Sequence, residues 1–324
     1  MSTPSLRMGC CIFRAVPNMS DLHSTYHLPV LLDAVLTAAS GARRAVDATL
    51  GDGGHAAALL SAGIEVLGID RDPEAIGVSR GRLGDGGIRY LEAPYASREA
   101  LTAVAGFAPD FILLDLGVSS RQLDESGRGF TFRPGAPLDM RMGNTGQPAA
   151  DFLNQAKASV LETIFRDYGD ERRARRLAAE IVRRRERRPF ATSDDLVNAI
   201  RATLGPKSGP GDFARLFQAV RIAVNDELAG LEKALPAFRD ALTPAGRLSV
   251  ITYHSGEDRL VKQLFRDWSR SCICPPELPL CTCRGRPLGR VEPRKPIVPA
   301  EAEITANPRA RSAKLRNFVV SGAD

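Results

Sequence analysis

Residues 110–130 read DFILLDLGVSSRQLDESGRGF. An apolar run ends on Asp115, and Gly117, two serines and a polar, glycine-bearing loop follow. A short apolar run bounded by turn residues predicts a fully buried strand. A carboxylate is costly in such a place unless the strand ends there, at an edge where something meets the charge. The same design occurs twice upstream. RRAVDATLG, residues 43–51, carries Asp47, and GIEVLGID, residues 63–70, ends on Asp70. GRLSVITYHS, residues 246–255, reads as a further buried strand. Helical patterns over residues 56–62 and 73–82 separate the first three strands, and Pro73 suits a first helical position. Strands alternating with helices predict an α/β fold with a mostly parallel sheet.

The rhythm breaks between Asp115 and Gly246, a gap far longer than one crossover helix needs. It holds four stretches with helical spacing, residues 158–169, 172–188, 192–205 and 213–238. In the last of these Phe217, Val220, Val224, Leu228, Leu231 and Leu235 fall along one face of what reads as a single helix. Thr192-Ser193-Asp194-Asp195 is a cap before Leu196. The expected organisation is a tail over residues 1–22, reading as disordered, a discontinuous domain over 23–120 and 212–324, and a helical insertion over 121–211 for substrate recognition.

The chain has 324 residues, a quarter of them charged, and a formal net charge of +6. Those values suit a soluble globular protein. No apolar run approaches the roughly 20 residues of a membrane span, and residues 1–20 lack the apolar core of a secretory signal. The expected location is the cytoplasm, with no membrane partner. Nine arginines fall between Arg172 and Arg188, on a helix whose apolar stripe is Ala174, Leu177, Ala178, Ile181 and Val182. Their outer face is either solvated surface or a phosphate-binding surface.

In open α/β sheets ligands bind beyond the carboxyl ends of the strands. DATLGDGGHA, residues 47–56, supplies Gly51, Gly53 and Gly54 for a tight turn, and Asp70 stands where an acid accepts hydrogen bonds from ribose hydroxyls. The spacing Gly51-x-Gly53-x-x-Ala56 also fits a dinucleotide fingerprint. Asp47 argues against it, because a pyrophosphate there meets a like charge. A carboxylate suits a cationic ligand, such as the amino group and sulfonium of S-adenosylmethionine. Three carboxylates at three strand ends read as one site. Asp115 reads as the group that holds an acceptor amine in line, since methyl transfer to an amine needs alignment above all.

Seven blocks then occur in order: HLPVLLDAV, DATLGDGGHAAALL, GIDRDPEAI, DFILLDLGVSSRQLDESGRGFTFRPGAPLDMRM, RIAVNDELAGLEKAL, ITYHSGEDRLVKQLF and NPRARSAKLR. Together, over residues 27–316, they resemble the bacterial RsmH family, also called MraW. The resemblance implies a class I methyltransferase fold with a helical insertion, S-adenosylmethionine as cofactor, and methylation of the N4 amine of one cytidine in 16S rRNA of the small ribosomal subunit, within an assembled subunit. It carries cofactor contacts onto Gly53, Gly54, His55, Asp70, Tyr95, Asp115 and Gln122. Tyr95 stands where many members carry phenylalanine. TYHSGEDR departs from the commoner FHSLEDR at Tyr253 and Gly256, which loosens the turn. The rival readings are a non-catalytic RNA-binding assembly factor and a nicotinamide-dependent oxidoreductase.

Several further residues have two readings. Phe130 and Phe132 can stack a base, Arg133 and Arg141 can hold phosphate and Asp139 can read an amine, or all five can pack the insertion. His27 and His254 read as structural. Asn225 and Glu227 either reach the site or face solvent. Cys272-x-Cys274 and Cys281-x-Cys283 offer four thiols, but not at the usual C-x-x-C spacing, and no metal is expected.

Overall fold

The computed structural model describes residues 29–119, 122–123, 125–274, 280 and 282–322. The tail over residues 1–22, His27 and Cys281 lie outside the described residues. Seven strands form one sheet in the order β3-β2-β1-β4-β5-β7-β6. They are β1 (Arg44–Asp47), β2 (Glu65–Asp70), β3 (Ile88–Glu92), β4 (Phe111–Asp115), β5 (Arg247–Thr252), β6 (Gly289–Val291) and β7 (Lys314–Val320). The first five run parallel, and β7 pairs antiparallel with β5 and β6. This is the class I architecture, with the strand order reversing between β1 and β4.

Helices cover both faces. On one side α4 (Arg98–Phe107), α10 (Glu227–Ala241) and α11 (Ser255–Trp268) set Val104, Leu235 and Phe265 against Ile112, Leu248 and Phe318. On the other, α1 (Leu32–Ala38) and α2 (Gly54–Ser61) pack Val35 and Leu59 against Val66 and Leu113. A sheet buried on both faces needs continuous apolar strands, and β4 and β5 have them. The helix α3 (Pro73–Leu83) starts where its sequence says, with Pro73 at the first position and Asp72 accepting the Glu74 N–H at 3.1 Å.

Between β4 and β5 lies a separate core. It is built by α5 (Ala149–Gln155), α6 (Ala158–Asp167), α7 (Ala174–Arg185), α8 (Ser193–Leu204) and α9 (Pro210–Asn225). The predicted stripe of α7 buries Ala174, Leu177, Ala178 and Ile181. Thr192 and Asp195 form a capping box on α8. The stripe from Phe217 to Leu235 is not one helix. Asp226 takes a left-handed conformation, φ 51°, and ends α9 while it starts α10. Phe217 and Val220 therefore join the helical core, and Leu231 and Leu235 join the sheet core. One apolar face is divided between two cores because the backbone turns where the chain crosses from one to the other.

No helix among the described residues is long and apolar enough to cross a membrane.

Candidate active site

Register decides which of the three strand-end carboxylates reach the surface. Asp47 pairs with Gly68 on β2 and Leu113 on β4, two residues below Asp70 and Asp115. The chain then folds over it: Ala48 N–H bonds Leu113 O, and Leu50 N–H bonds Ile69 O, each at 2.9 Å. Asp47 is 1% exposed and lines neither of the cavities described below. Its Oδ1 accepts the Thr49 N–H at 3.3 Å, and its Oδ2 has no hydrogen-bond partner among the described residues. Burial pushes its carboxyl up to about 6, although His55 and the Thr49 N–H oppose the rise. The expected trio at one edge is thus a pair, Asp70 and Asp115, above a buried third acid.

The first hollow lies over the ends of β1, β2 and β4. Asp70, Tyr95, Asp115 and Gln122 line it, together with Gly51 and Arg71. Asp70 Oδ2 accepts the Gly51 N–H at 2.8 Å, and its Oδ1 accepts the Asp72 N–H at 2.9 Å. Gly51 sits at φ 52°, which turns its N–H onto that carboxylate. Burial raises the Asp70 carboxyl to about 6 against those N–H bonds. Tyr95 packs beside Gly230, and burial raises its phenol far above the working range, so it stays neutral. Gln122 is tied by its amide to Met142 O at 3.2 Å and by its carbonyl to the Ser119 N–H at 3.2 Å.

The lining carries Asp70, Asp115, Glu227 and Glu257 against Arg71 as its basic member. Glu227 is held bidentate by Arg221, both contacts at 2.9 Å, and the remaining acids still leave the hollow negative. A cationic ligand fits that charge and a pyrophosphate does not. That charge counts for the cationic one of the two cofactor readings that the glycine spacing left open.

Gly53, Gly54 and His55 are placed differently. A Cβ on Gly53 would lie 2.9 Å from Ser79 Oγ and Leu83 Cδ1, so this glycine lets the turn approach α3, and it lines neither cavity. A Cβ on Gly54 would lie 2.7 Å from Pro29. Gly54 and His55 line a second, larger cavity of about 410 Å³, which Tyr253, His254 and Arg221 also border. The two cavities share Thr49, Gly51, Asp115, Leu116, Gly117 and Ser119. Asp115 therefore stands in the wall between them.

Several groups set the state of Asp115. Burial raises its carboxyl above the usual range, and buried Glu257 adds to the rise; His55, a Tyr253 hydroxyl bond and the Gly117 N–H at 3.4 Å oppose it. His55 Nε2 lies 3.0 Å from Val30 O, an atom that only accepts, so Nε2 carries a proton. Its Nδ1 is 3.9 Å from Asp115 Oδ2. The ring of Tyr253 covers Gly117, where a Cβ would lie 2.9 Å from Tyr253 Cε2. The departure from phenylalanine at 253 thus places a hydroxyl on Asp115. Tyr253→Phe removes that donor without changing the ring. Losing it raises the Asp115 carboxyl further, so an acid limb set by ionisation of that group is expected to shift to higher pH, with about 1 kcal/mol or less lost from stability. A pH–rate series on the variant checks this, and an unmoved limb would detach Tyr253 from Asp115.

Other readings resolve through contacts. Phe132 packs edge-on to Phe213 and Phe217 at 5.9 and 6.1 Å, and Phe130 packs on the same helical core, so neither is a free stacking platform. Asp139 holds Arg141 at 2.7 Å instead of waiting for an amine. His254 caps α11, its Nδ1 accepting the Glu257 N–H at 3.4 Å, while buried Glu257 accepts the Tyr253 N–H at 2.8 Å. Gly256 leaves room for the His254 ring, which a Cβ would meet at 3.2 Å. Asn225 is buried and bonds Met140 O at 2.8 Å and the Met142 N–H at 2.9 Å, which pins the loop after β4 to the end of α9. Glu227 reaches the first hollow. Arg71 and Glu257 also line it; both lie in blocks that carry the family resemblance, but the sequence gives neither a role of its own. A basic residue just after Asp70 and an acid one turn into a helix are ordinary surface patterns.

A family model described as the MraW methylase family matches residues 24–320. The chain belongs to the MraW methylase family. A protein of Gemmatimonas aurantiaca named ribosomal RNA small subunit methyltransferase H is 60% identical over 301 residues, covering 90% of this chain and 94% of its own. Proteins of the same name from Heliobacterium modesticaldum and Rubrobacter xylanophilus are 45% and 46% identical, each over 90% of this chain and over 97% and 94% of their own.

Proposed function

We propose that this chain transfers a methyl group from S-adenosylmethionine to the N4 amine of a cytidine in 16S rRNA of the small ribosomal subunit. The observation that carries the reading is the shared wall of the two cavities, with Asp115 in it. One hollow suits a cationic nucleoside, and the other is large enough for a flipped-out base. The names of the relatives support rRNA as the substrate class. Bound in the first hollow, S-adenosylmethionine supplies an electrophilic methyl group on a sulfonium. Asp70 would accept its ribose hydroxyls, Tyr95 and Gln122 would hold its base, and Gly51 would let the chain approach closely. Gly54 and His55 serve from the side of the second cavity, and Gly53 shapes the turn.

The exocyclic amine of cytosine is a poor nucleophile because its lone pair is delocalised into the ring. Asp115 accepts its N–H, orients it toward the first hollow, and takes the released proton. A carboxyl raised by burial is suited to that last task. The carbonyl of Leu116, in the same wall, is the second acceptor.

The helical unit between β4 and β5, α5 to α9, is assigned to RNA recognition. Its arginines are not equivalent. Arg183 and Arg184 are paired with Glu180 at 2.7 and 2.6 Å, and Arg185 bonds Leu153 O and Ala156 O. Arg187 and Arg188 are exposed beyond the end of α7. Reversing these two to glutamate is expected to weaken RNA binding and to lower the salt slope by about one unit per lost phosphate contact, with cofactor affinity unchanged. Filter binding across a salt series measures this, and an unaltered slope returns this end of α7 to plain solvated surface.

The direct test is methylation of assembled small subunits with labelled cofactor, then nuclease digestion and mass spectrometry. One N4-methylcytidine is the expected product. Label on another base atom or on ribose overturns the N4 assignment. No transfer to subunits or naked RNA, with both ligands bound, favours the assembly-factor reading. The proposed site is in the cytoplasm, where the subunits are.

A further inference from the structure

Among its described residues the connection from α11 to β6 buries none. Ile273 is 51% exposed and Leu280 77% exposed. Its base is closed by a Leu288 N–H to Trp268 O bond at 2.8 Å and by Arg284 Nη2 to Arg270 O at 2.8 Å. Among the described residues beyond that base, no apolar burial holds the two limbs together. Yet Cys272 and Cys274 on one limb and Cys283 on the other bring three Sγ atoms within 4.8 Å of one another. The Ile273 N–H donates to Cys283 Sγ at 3.4 Å across the limbs.

We propose that Cys272, Cys274 and Cys283 bind a zinc ion that clamps this connection. Tetrahedral zinc with Zn–S of about 2.3 Å sets sulfur atoms about 3.8 Å apart, so the observed trio closes by roughly 1 Å or less. A disulfide would need one pair at about 2 Å, and Cys272, Cys274 and Cys283 are not disulfide-bonded to one another. An N–H aimed at sulfur stabilises a thiolate, and metal-bound thiolates carry such outer-shell donors. The unusual spacing in sequence, which argued against a metal, does not govern the site, because the third ligand arrives from the facing limb. The trio lies outside both cavities, so the ion braces the fold and takes no part in methyl transfer. The inference does not rest on the proposed function.

Protein produced in zinc-supplemented medium and purified without chelator is expected to carry one zinc per chain by elemental analysis. Cys272→Ser with Cys283→Ser is expected to cut that content by about tenfold or more, with circular dichroism and cofactor calorimetry unchanged. If that variant does not fold, cobalt titration of metal-free wild type decides. Thiolate-to-cobalt charge transfer with intense tetrahedral visible bands is the expected result. Metal-poor wild type without such bands, a disulfide among these cysteines in the native protein, or zinc retained in full by the folded double variant would each overturn the site.

Discussion

Asp115→Asn is expected to slow single-turnover methylation by about 10²-fold or more at saturating cofactor. The amide keeps the shape of the carboxylate but removes its charge, and its NH₂ donates where an acceptor is required. Tyr253 and the Gly117 N–H both face this side chain as donors, so the amide also leaves one of them wrongly matched. RNA binding is expected to survive, since the exposed arginines of the helical unit lie elsewhere. Cofactor affinity falls moderately, because Asp115 lines the first hollow as well. Rapid quench on pre-bound subunits separates these effects. A rate within a few-fold of wild type would make Asp115 a structural or cofactor residue and pass the orienting role to the Leu116 carbonyl.

Asp70→Ala is expected to weaken S-adenosylmethionine by about 2–3 kcal/mol, the cost of losing a charged hydrogen-bond partner. It also removes the acceptor that holds the Gly51 N–H at 2.8 Å, so Asp70→Asn, which keeps the volume, is the companion variant. The carboxyl of the ligand-free protein titrates near 6. Ribose hydroxyls donate to the anion, so affinity is full above that pH. It declines below it, approaching tenfold per unit, and Asp70→Asn should flatten that dependence. The sign for stability is the reverse. The folded carboxyls of Asp70 and Asp47, both near 6, keep protons that the unfolded chain has already lost. Unfolding free energy without ligand is therefore expected to fall as pH rises from the ordinary carboxylate range to about 6. Calorimetry of wild type and both variants from pH 8 to pH 5, with urea unfolding alongside, covers both statements; unchanged affinity in folded Asp70→Ala would remove Asp70 from the cofactor site.

Local pattern made much of this protein legible. β1, β2, β4 and β5 are apolar runs with turn residues at their ends, and a buried parallel strand requires such a run. The α3 start and the α8 cap are written in Pro73, Thr192 and Asp195, because capping is satisfied within a few residues. β3 was not legible. Only Ile88 of its five residues is buried, since it lies at the sheet edge. β7 was missed for another reason: it pairs antiparallel from the far end of the chain, with no helix pattern to announce it.

The site shows the same division. Asp70, Asp115 and the glycine turn stand out because a charge or a flexible backbone interrupts a buried pattern. Sequence alone set their types and their common edge. Tertiary structure decided which of them face a ligand. A two-residue offset in register buried Asp47 and raised Asp115 into the wall of two cavities. A left-handed Asp226 split one apolar stripe between two cores and brought Glu227 to the first hollow. Tyr253 and Glu257 reached Asp115 from well over a hundred residues away, and Phe132 was claimed by Phe213 and Phe217 before it could meet a base. Period and capping are short-range properties of the chain. Register and packing are contacts between distant segments, and no short stretch of sequence specifies them.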